Sequence, residues 1–355
     1  MPASPHTFSR IGLTSALAII PLSSNAVFSI NLNILGTMPP EASAAFDEGA
    51  AFWESKINND ITVNLDIRFD GNDPGGNPMG ANTLGSTSRS LITPTYSAVR
   101  ATLIAQANPS ANDLTAIANL PAAGTLSFRT NETGTTNNGD VFTDNDGSNN
   151  NTFLDVNTAN AKALGLHPAN APGTDAQIAF NPTFDWDFDP SDGIDPGHQD
   201  FVGVTIHEIG HALGFRSGVD AVDARHGAGP FAPEDLDSFA VVTVLDLFRF
   251  SSPGQMDLAT GGTPYFSLDG GTTNIAPFST GAFNGDGAQA SHWKDNLGLG
   301  ILDPTANPPG QVNVVTQLDL DALDVIGFDV NPIPEPTSTL LALVALGFTA
   351  QRRKR

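Results

Sequence analysis

Residues 207–215 read His-Glu-Ile-Gly-His-Ala-Leu-Gly-Phe, and this stretch carries most of the chemical information in the chain. The residues around it are mostly apolar, so the pattern predicts a buried helix that ends at Gly214. On a helix, His207 and His211 project from one face, one turn apart, where both can bind the same metal ion. Glu208 is the next residue along, which brings its carboxylate beside such an ion.

The H-E-x-x-H spacing is a signature of zinc hydrolases. Zinc bound by three protein groups keeps an open position for water and lowers the pKa of that water to about 7. We therefore predict that His207 and His211 bind Zn²⁺ and that Glu208 is the general base in peptide hydrolysis. A purely structural cluster of the same three residues is the alternative.

The composition is typical of a globular secreted protein. The chain has 355 residues, 40% of them hydrophobic, with 35 glycines, 26 prolines and no cysteine, which favours a large core with many loops. The net charge of -23 excludes duplex nucleic acid as a partner, because phosphate binding needs a basic surface. Without cysteine, latency through a thiol on the zinc is also excluded.

The amino-terminal end has the features of a signal peptide, predicted to span residues 1–26. Arg10 precedes a short apolar run, and Ser24 and Ala26 are the small residues expected at positions -3 and -1 of a cleavage site. Signal peptidase is therefore an expected processing partner.

The carboxyl-terminal segment, residues 332–355, contains Pro334-Glu335-Pro336, then a short apolar stretch and a basic tail. This arrangement resembles the PEP-CTERM sorting signal of Gram-negative bacteria. The resemblance implies an exosortase-type processing enzyme, transient membrane association through the C-terminal helix, and a location at the cell surface, in the extracellular matrix or in the medium. A plain membrane anchor is the alternative, although the apolar stretch is short for a bilayer core about 30 Å thick.

The apolar periodicity between these ends predicts an α+β fold, with a mixed twisted sheet, an active-site helix and a β-rich, irregular C-terminal lobe. We expect one catalytic domain, residues 27–331, with lobes over 27–216 and 217–331 and a cleft between them. The predicted strands cover 28–35, 61–69, 176–180, 241–250, 265–268 and 275–278. The other predicted helices cover 41–57, 96–107, 113–118 and 318–326. We expect the strand over 176–180 to be the edge that aligns an extended peptide, and we expect a loop over 70–89.

A polar tract over 131–151 contains a run of possible oxygen ligands from Asp144 to Asn150. Ca²⁺ favours such ligands, but Gly147 is the fourth rather than the sixth residue of an EF-hand count. An exposed, turn-rich loop is the alternative to a calcium site.

Two histidines do not complete a zinc site, so a third ligand is needed. In short metzincins it lies six residues after the second histidine, and that position here is Ser217. His167 and His198 precede the helix, against the usual order. From the residues alone, the candidates that remain are His226, His292, Asp220 and Glu234.

Residues 290–293 read Ala-Ser-His-Trp, and Ile-Leu-Asp-Pro follows at 301–304. Together with the helix motif, this resembles the leishmanolysin-like metzincins, in which a distant Ser-His-Trp histidine completes the zinc site and a turn containing methionine follows. The resemblance covers roughly residues 176–330 and implies that His292 is the third ligand. It departs at Leu302, which stands where the methionine is expected; leucine has a similar volume, so we expect a modest cost.

These observations predict a secreted zinc metalloendopeptidase that acts on proteins or peptides. The alternative is a non-catalytic extracellular matrix or surface protein stabilised by zinc or calcium. Loss of Glu208 would mark that alternative, and Glu208 is present.

Overall fold

The computed structural model describes residues 27–108, 110–134 and 139–333. The predicted signal peptide and all but the first two residues of the predicted sorting segment lie outside these ranges. The described part is α+β, which confirms the predicted class. None of its helices has both the length and the apolar character needed to cross a bilayer.

The described part of the chain contains 14 short strands and eight α-helices. The strands are β1 Ser29–Ile34, β2 Thr62–Arg68, β3 Gly85–Arg89, β4 Leu91–Ile92, β5 Phe128–Asn131, β6 Val141–Asp144, β7 Val156–Asn157, β8 Ala176–Phe180, β9 Trp186–Asp187, β10 Gln199–Asp200, β11 Arg249–Ser252, β12 Gln255–Asp257, β13 Tyr265–Phe266 and β14 Ala276–Pro277. The helices are α1 Pro40–Lys56, α2 Tyr96–Gln106, α3 Ala111–Asn119, α4 Asn149–Thr152, α5 Thr158–Ala163, α6 Phe201–Leu213, α7 Val219–Asp223 and α8 Gln317–Val325.

The first sheet has four strands in the order β1-β2-β8-β3. β2 pairs in parallel with both β1 and β8, and β3 pairs with β8 in the antiparallel direction. The strand predicted over 176–180 is confirmed as β8, but its predicted role as the free edge is wrong because β3 covers it. β3 reads Gly-Ser-Thr-Ser-Arg, which has no apolar alternation and was therefore expected to be loop. Backbone hydrogen bonds to β8 are sufficient to hold such a polar strand at an edge.

Helix α6, which carries the H-E-x-x-H motif, is held by an aromatic cluster and by α1. The ring of Phe201, at its first residue, packs 4.6 Å from Phe180 and 5.3 Å from Phe46, measured between centroids. Trp53 of α1 donates its indole N–H to the carbonyl of Ile206 at 3.0 Å. These contacts fix the helix against the first sheet, with β3 beside it.

The ends of α6 are set by local chemistry. The Asp200 carboxylate accepts the backbone N–H of Gly203 at 2.8 Å and so caps the first turn. Gly214 ends the helix as predicted, with a φ of +125° that favours glycine. The motif histidines therefore lie on the last two turns of a capped, buried helix.

The second sheet has the order β14-β13-β11-β12-β5-β6. β6 lies within the polar tract over 131–151, for which an exposed loop and a calcium site were the alternatives. β5 ends at the first residue of that tract and pairs in parallel with β12. Strands from both sides of the expected boundary at residues 216 and 217 therefore share one sheet. The prediction of a strand over 241–250 is wrong for most of its length. A 3₁₀-helix spans Leu245–Phe248, and only Arg249 and Phe250 of the predicted strand belong to β11.

The apolar residues of the 241–250 segment are buried although they form no strand. Asp246, which is fully buried, accepts the backbone N–H groups of Thr243 and Gly218 and so satisfies this irregular backbone. Apolar periodicity alone cannot distinguish such a buried loop from a strand.

Helix α5 is joined to the first sheet by a buried ion pair. Lys162 Nζ lies 2.6 Å from the Asp175 carboxylate and donates to the carbonyl of Thr62 at 2.8 Å. Both charged side chains are excluded from solvent. In such a pair each charge depends on the other, since removing one partner typically costs about 3–5 kcal/mol of stability.

Candidate metal centre and cleft

Three imidazoles meet at one point beside helix α6. His211 Nε2 lies 3.0 Å from His207 Nε2 and 3.1 Å from His292 Nε2. Among the described residues, this is the group of metal-ligating side chains whose ligand atoms all lie within 4.8 Å of one another. The structure thus brings His292, which is 81 residues from His211, to the two motif histidines.

The hydrogen bonds on the other side of each ring determine which nitrogen carries the proton. Each Nδ1 lies within hydrogen-bond distance of a backbone carbonyl oxygen, and a carbonyl can only accept. Each Nδ1 is therefore the N–H nitrogen, and each Nε2 presents its lone pair to the shared point. The pairs are His207 with Ile301 at 2.6 Å, His211 with Phe215 at 2.7 Å and His292 with Gln289 at 3.1 Å.

Burial favours the neutral form of His211 and His292. Desolvation, and then the neighbouring His207 and His292, lower the pKa of His211 well below its ordinary value. Desolvation, and then His207, lower the pKa of His292 to about 3. Three converging Nε2 lone pairs repel one another unless a cation lies between them, so this donor set fits a metal ion such as Zn²⁺.

The serine before His292 fixes the loop that carries this histidine. The Ser291 hydroxyl donates to the carboxylate of Asp220 on α7 and accepts the backbone N–H of Ser217 at 2.9 Å. Asp220 also accepts the backbone N–H of Ala290 at 2.7 Å. Asp220, one of the carboxylates considered as a third ligand, thus positions the histidine loop instead.

The tryptophan after His292 fixes the loop from its other side. Trp293, fully buried, donates its indole N–H to Asp319 of α8 at 2.9 Å. The same carboxylate accepts the backbone N–H groups of Ile301 and Leu302 at 2.9 and 3.3 Å. Asp319 therefore connects the histidine loop to the turn whose Ile301 carbonyl orients the ring of His207.

Leu302, where the resemblance led us to expect methionine, packs directly under helix α6. A Cβ placed on Gly210 would lie 2.9 Å from Leu302 Cδ2, so glycine allows this close approach. Leu302 is fully buried and lies against Gly210, the residue before His211. The substitution therefore preserves apolar packing at this position.

Glu208 is buried beside the triad and bonded to β3. The Thr87 hydroxyl donates to Glu208 Oε2 at 2.6 Å. A Cβ on Gly85 would lie 2.7 Å from Glu208 Oε1, so a side chain there would displace the carboxylate. Desolvation is the largest influence and raises the pKa of Glu208, against the lowering effects of His207 and Thr87. A carboxylate whose pKa is raised by burial is better suited to exchange protons near neutral pH.

The triad and Glu208 line one side of a cleft of about 830 Å³. Strand β3 lines the same cleft, and in the order of its sheet it has β8 on one side only. Its other edge can pair with an extended peptide chain. The edge of the sheet beside the cleft is therefore β3 rather than β8.

The other proposed ligands lie elsewhere. His226 is buried, and its Nε2 lies 3.0 Å from Thr260 Oγ1. Glu234 pairs with Arg225 at 2.7 Å. Within the described ranges, neither belongs to the group that could hold a metal.

The possible calcium run borders a separate acidic cavity of about 280 Å³. Asp144 Oδ2 accepts the Asn150 amide at 3.0 Å, and Asp146 accepts the backbone N–H of Ser148 at 2.8 Å. Calcium binding there stays a prediction.

Sequence reasoning missed two residues that shape the site, Thr87 and Asp319. Asp319 carried a usable signal, because Thr316 and Asp319 have the spacing of a capping box and form one. Thr87 had no such signal, since it lies in a polar segment without periodicity.

No protein-family model, curated protein or solved structure matches this chain.

Proposed function

We propose that this protein is a zinc-dependent endopeptidase of the leishmanolysin-like metzincin type. The observation that carries the proposal is the convergence of three imidazole lone pairs, from His207, His211 and His292, beside a buried glutamate in an open cleft. Zinc is the metal that three neutral imidazoles suit best among common cellular ions.

The number of ligands favours a catalytic site over a structural one. Structural zinc sites are closed by four protein ligands, whereas catalytic sites have three and an open position. Among the described residues the group contains three histidines and no fourth side chain. This count, together with Glu208, supports the enzyme over the non-catalytic matrix protein.

When bound, zinc would supply Lewis acidity that activates a water molecule and polarises the scissile carbonyl. The chain supplies the remaining functions. β3 aligns the peptide, Glu208 takes a proton from the attacking water and later passes it to the leaving amine, and Thr87 holds the Glu208 carboxylate in place.

The end segments support a proposal about location. A signal peptide over 1–26 and a sorting segment over 332–355 would direct this enzyme to the surface or surroundings of a Gram-negative cell. Signal peptidase and an exosortase-type enzyme would be its processing partners.

Removal of the metal tests the proposed function. Casein incubated with the protein should yield new peptides, and a zinc chelator should stop their formation because the triad then lacks its ion. Adding zinc, but not calcium, should restore cleavage, as measured by mass spectrometry of the digest. Cleavage that continues at the same rate in the chelator would contradict the proposal.

A further inference from the structure

Two arginines lie together at one end of the cleft. Arg89 is the last residue of β3, and Arg216 follows Phe215, whose carbonyl binds the ring of His211. The two guanidinium groups lie 2.8 and 3.0 Å from the same oxygen, Asp155 Oδ2. Both arginines line the cleft that contains the triad. A substrate that pairs with β3 therefore reaches this pair at the end of the strand.

Two guanidinium groups share the one carboxylate of Asp155, in a chain of net charge -23. Asp220 also lines the cleft, and its charge is close enough to act on Arg216. It forms no ion pair with either described arginine, and its oxygens accept hydrogen bonds from the 290–291 segment. Three other described arginines each pair with a single acid. These pairs are Arg68 with Asp70, Arg129 with Asp257 and Arg225 with Glu234.

Arg216 is the more buried of the two arginines. Its side chain is 13% exposed, against 32% for Arg89, and its Nη1 lies 3.0 Å from Asp155 Oδ2. A buried guanidinium is costly unless its N–H groups are bonded. A carboxylate, which guanidinium groups bind with two parallel hydrogen bonds, is the ligand that matches these donors.

We infer that Arg89 and Arg216 form a subsite that binds a carboxylate of the peptide substrate. This inference rests on the proposed function and adds a substrate class to it: peptides with an acidic group at a fixed distance from the cleaved bond. The carboxylate can come from an Asp or Glu side chain or from the free C-terminus of the peptide, and the two sources require different test peptides.

The test begins with the cleavage sites of the wild-type zinc protein in a complex peptide mixture, read by mass spectrometry. We expect an acidic group to be enriched at one position relative to the cleaved bond. Three matched peptides then follow: one with Glu at that position and an amidated C-terminus, one with Gln and an amidated C-terminus, and one with Gln and a free C-terminus. One of the two peptides with the extra carboxylate should show a kcat/KM about tenfold or more above the amidated Gln peptide.

Variants assign the preference to the arginine pair. Arg89→Gln should remove most of it, and Arg89→Glu should favour Lys at the same position. Arg89 is the informative position because its side chain is 32% exposed and tolerates substitution better than Arg216. Arg68→Gln is the matched control, since Arg68 pairs with Asp70 and does not line the cleft.

Equal kcat/KM for all three peptides, or a preference that Arg89→Gln leaves intact, would overturn the subsite while leaving the endopeptidase in place. If the wild type cleaves nothing, the proposed function fails, and binding to the metal-free protein decides the subsite. Three fluorescent peptides of one casein-derived sequence are then compared: one with Glu and an amidated C-terminus, one with Gln and an amidated C-terminus, and one with Gln and a free C-terminus. Fluorescence anisotropy should then show that a peptide with the extra carboxylate binds more tightly than the amidated Gln peptide. Equal affinities of the three peptides would overturn the subsite.

Discussion

Glu208→Gln is expected to reduce kcat for peptide hydrolysis by about 10²- to 10⁴-fold, the usual contribution of general acid–base catalysis. Glutamine has the same shape and can still accept the Thr87 hydroxyl, so the cleft should be unchanged. Its amide cannot take a proton from water at neutral pH. Steady-state kinetics on a peptide taken from the casein digest would measure the loss.

Zinc content must be measured in the same samples, because Glu208 is not one of the three imidazole ligands. We expect equal zinc in the wild type and Glu208→Gln. Glu234→Gln is the matched control, since Glu234 is a carboxylate that pairs with Arg225 outside the cleft. Full activity in Glu208→Gln would remove Glu208 from the mechanism.

Thr87 offers a graded version of this experiment. Thr87→Val removes the hydroxyl that donates to Glu208 Oε2 at 2.6 Å, whereas Thr87→Ser retains it. The loss of one hydrogen bond to a charged group should lower kcat by about tenfold to a hundredfold in the valine variant, with little change in KM. A near-normal kcat in Thr87→Ser would show that the hydroxyl positions the Glu208 carboxylate. Equal losses of kcat in both variants would show that Thr87 acts through packing alone.

His292→Ala is expected to lose both zinc and activity. The free energy of zinc binding is shared among three imidazoles. If it is about 10–16 kcal/mol, one ligand contributes on the order of 4 kcal/mol. Zinc affinity should then fall by roughly a thousandfold. Competition with a chromogenic chelator measures this change.

His226→Ala is the matched control for the third ligand. His226 was the rival candidate, and in the structure its ring contacts Thr260 rather than the triad. The zinc affinity and activity of His226→Ala should stay at the wild-type level. Circular dichroism would confirm that each variant is folded. If His292→Ala binds zinc as tightly as the wild type, or if His226→Ala loses zinc, the assignment of His292 as the third ligand is wrong.

Local patterns in the sequence were sufficient to predict helix α6, which carries the H-E-x-x-H motif. The apolar spacing through 201–213 and Gly214 predict its extent, because a buried helix has a strong period and a distinct end. The predicted helices over 41–57 and 318–326 also agree with α1 and α8 to within one residue at each end. His292 followed from a resemblance rather than from any local pattern.

Long-range pairing was not predictable in the same way. β3 has no apolar period, yet it forms the edge beside Glu208 because backbone hydrogen bonds to β8 do not depend on side-chain type. The pairing of β5 with β12 joins segments more than a hundred residues apart, which no local signal encodes. Conversely, the apolar 241–250 segment is buried as a loop because Asp246 satisfies its backbone.

The most direct test adds zinc stepwise to the metal-free wild type and Glu208→Gln and measures the initial rate of casein hydrolysis. The wild-type rate should rise and saturate at one zinc per chain, while the variant binds the same zinc and its rate stays near the background. A wild-type rate that does not depend on zinc, or a variant rate that rises in parallel with it, would contradict the proposed zinc site and its general base.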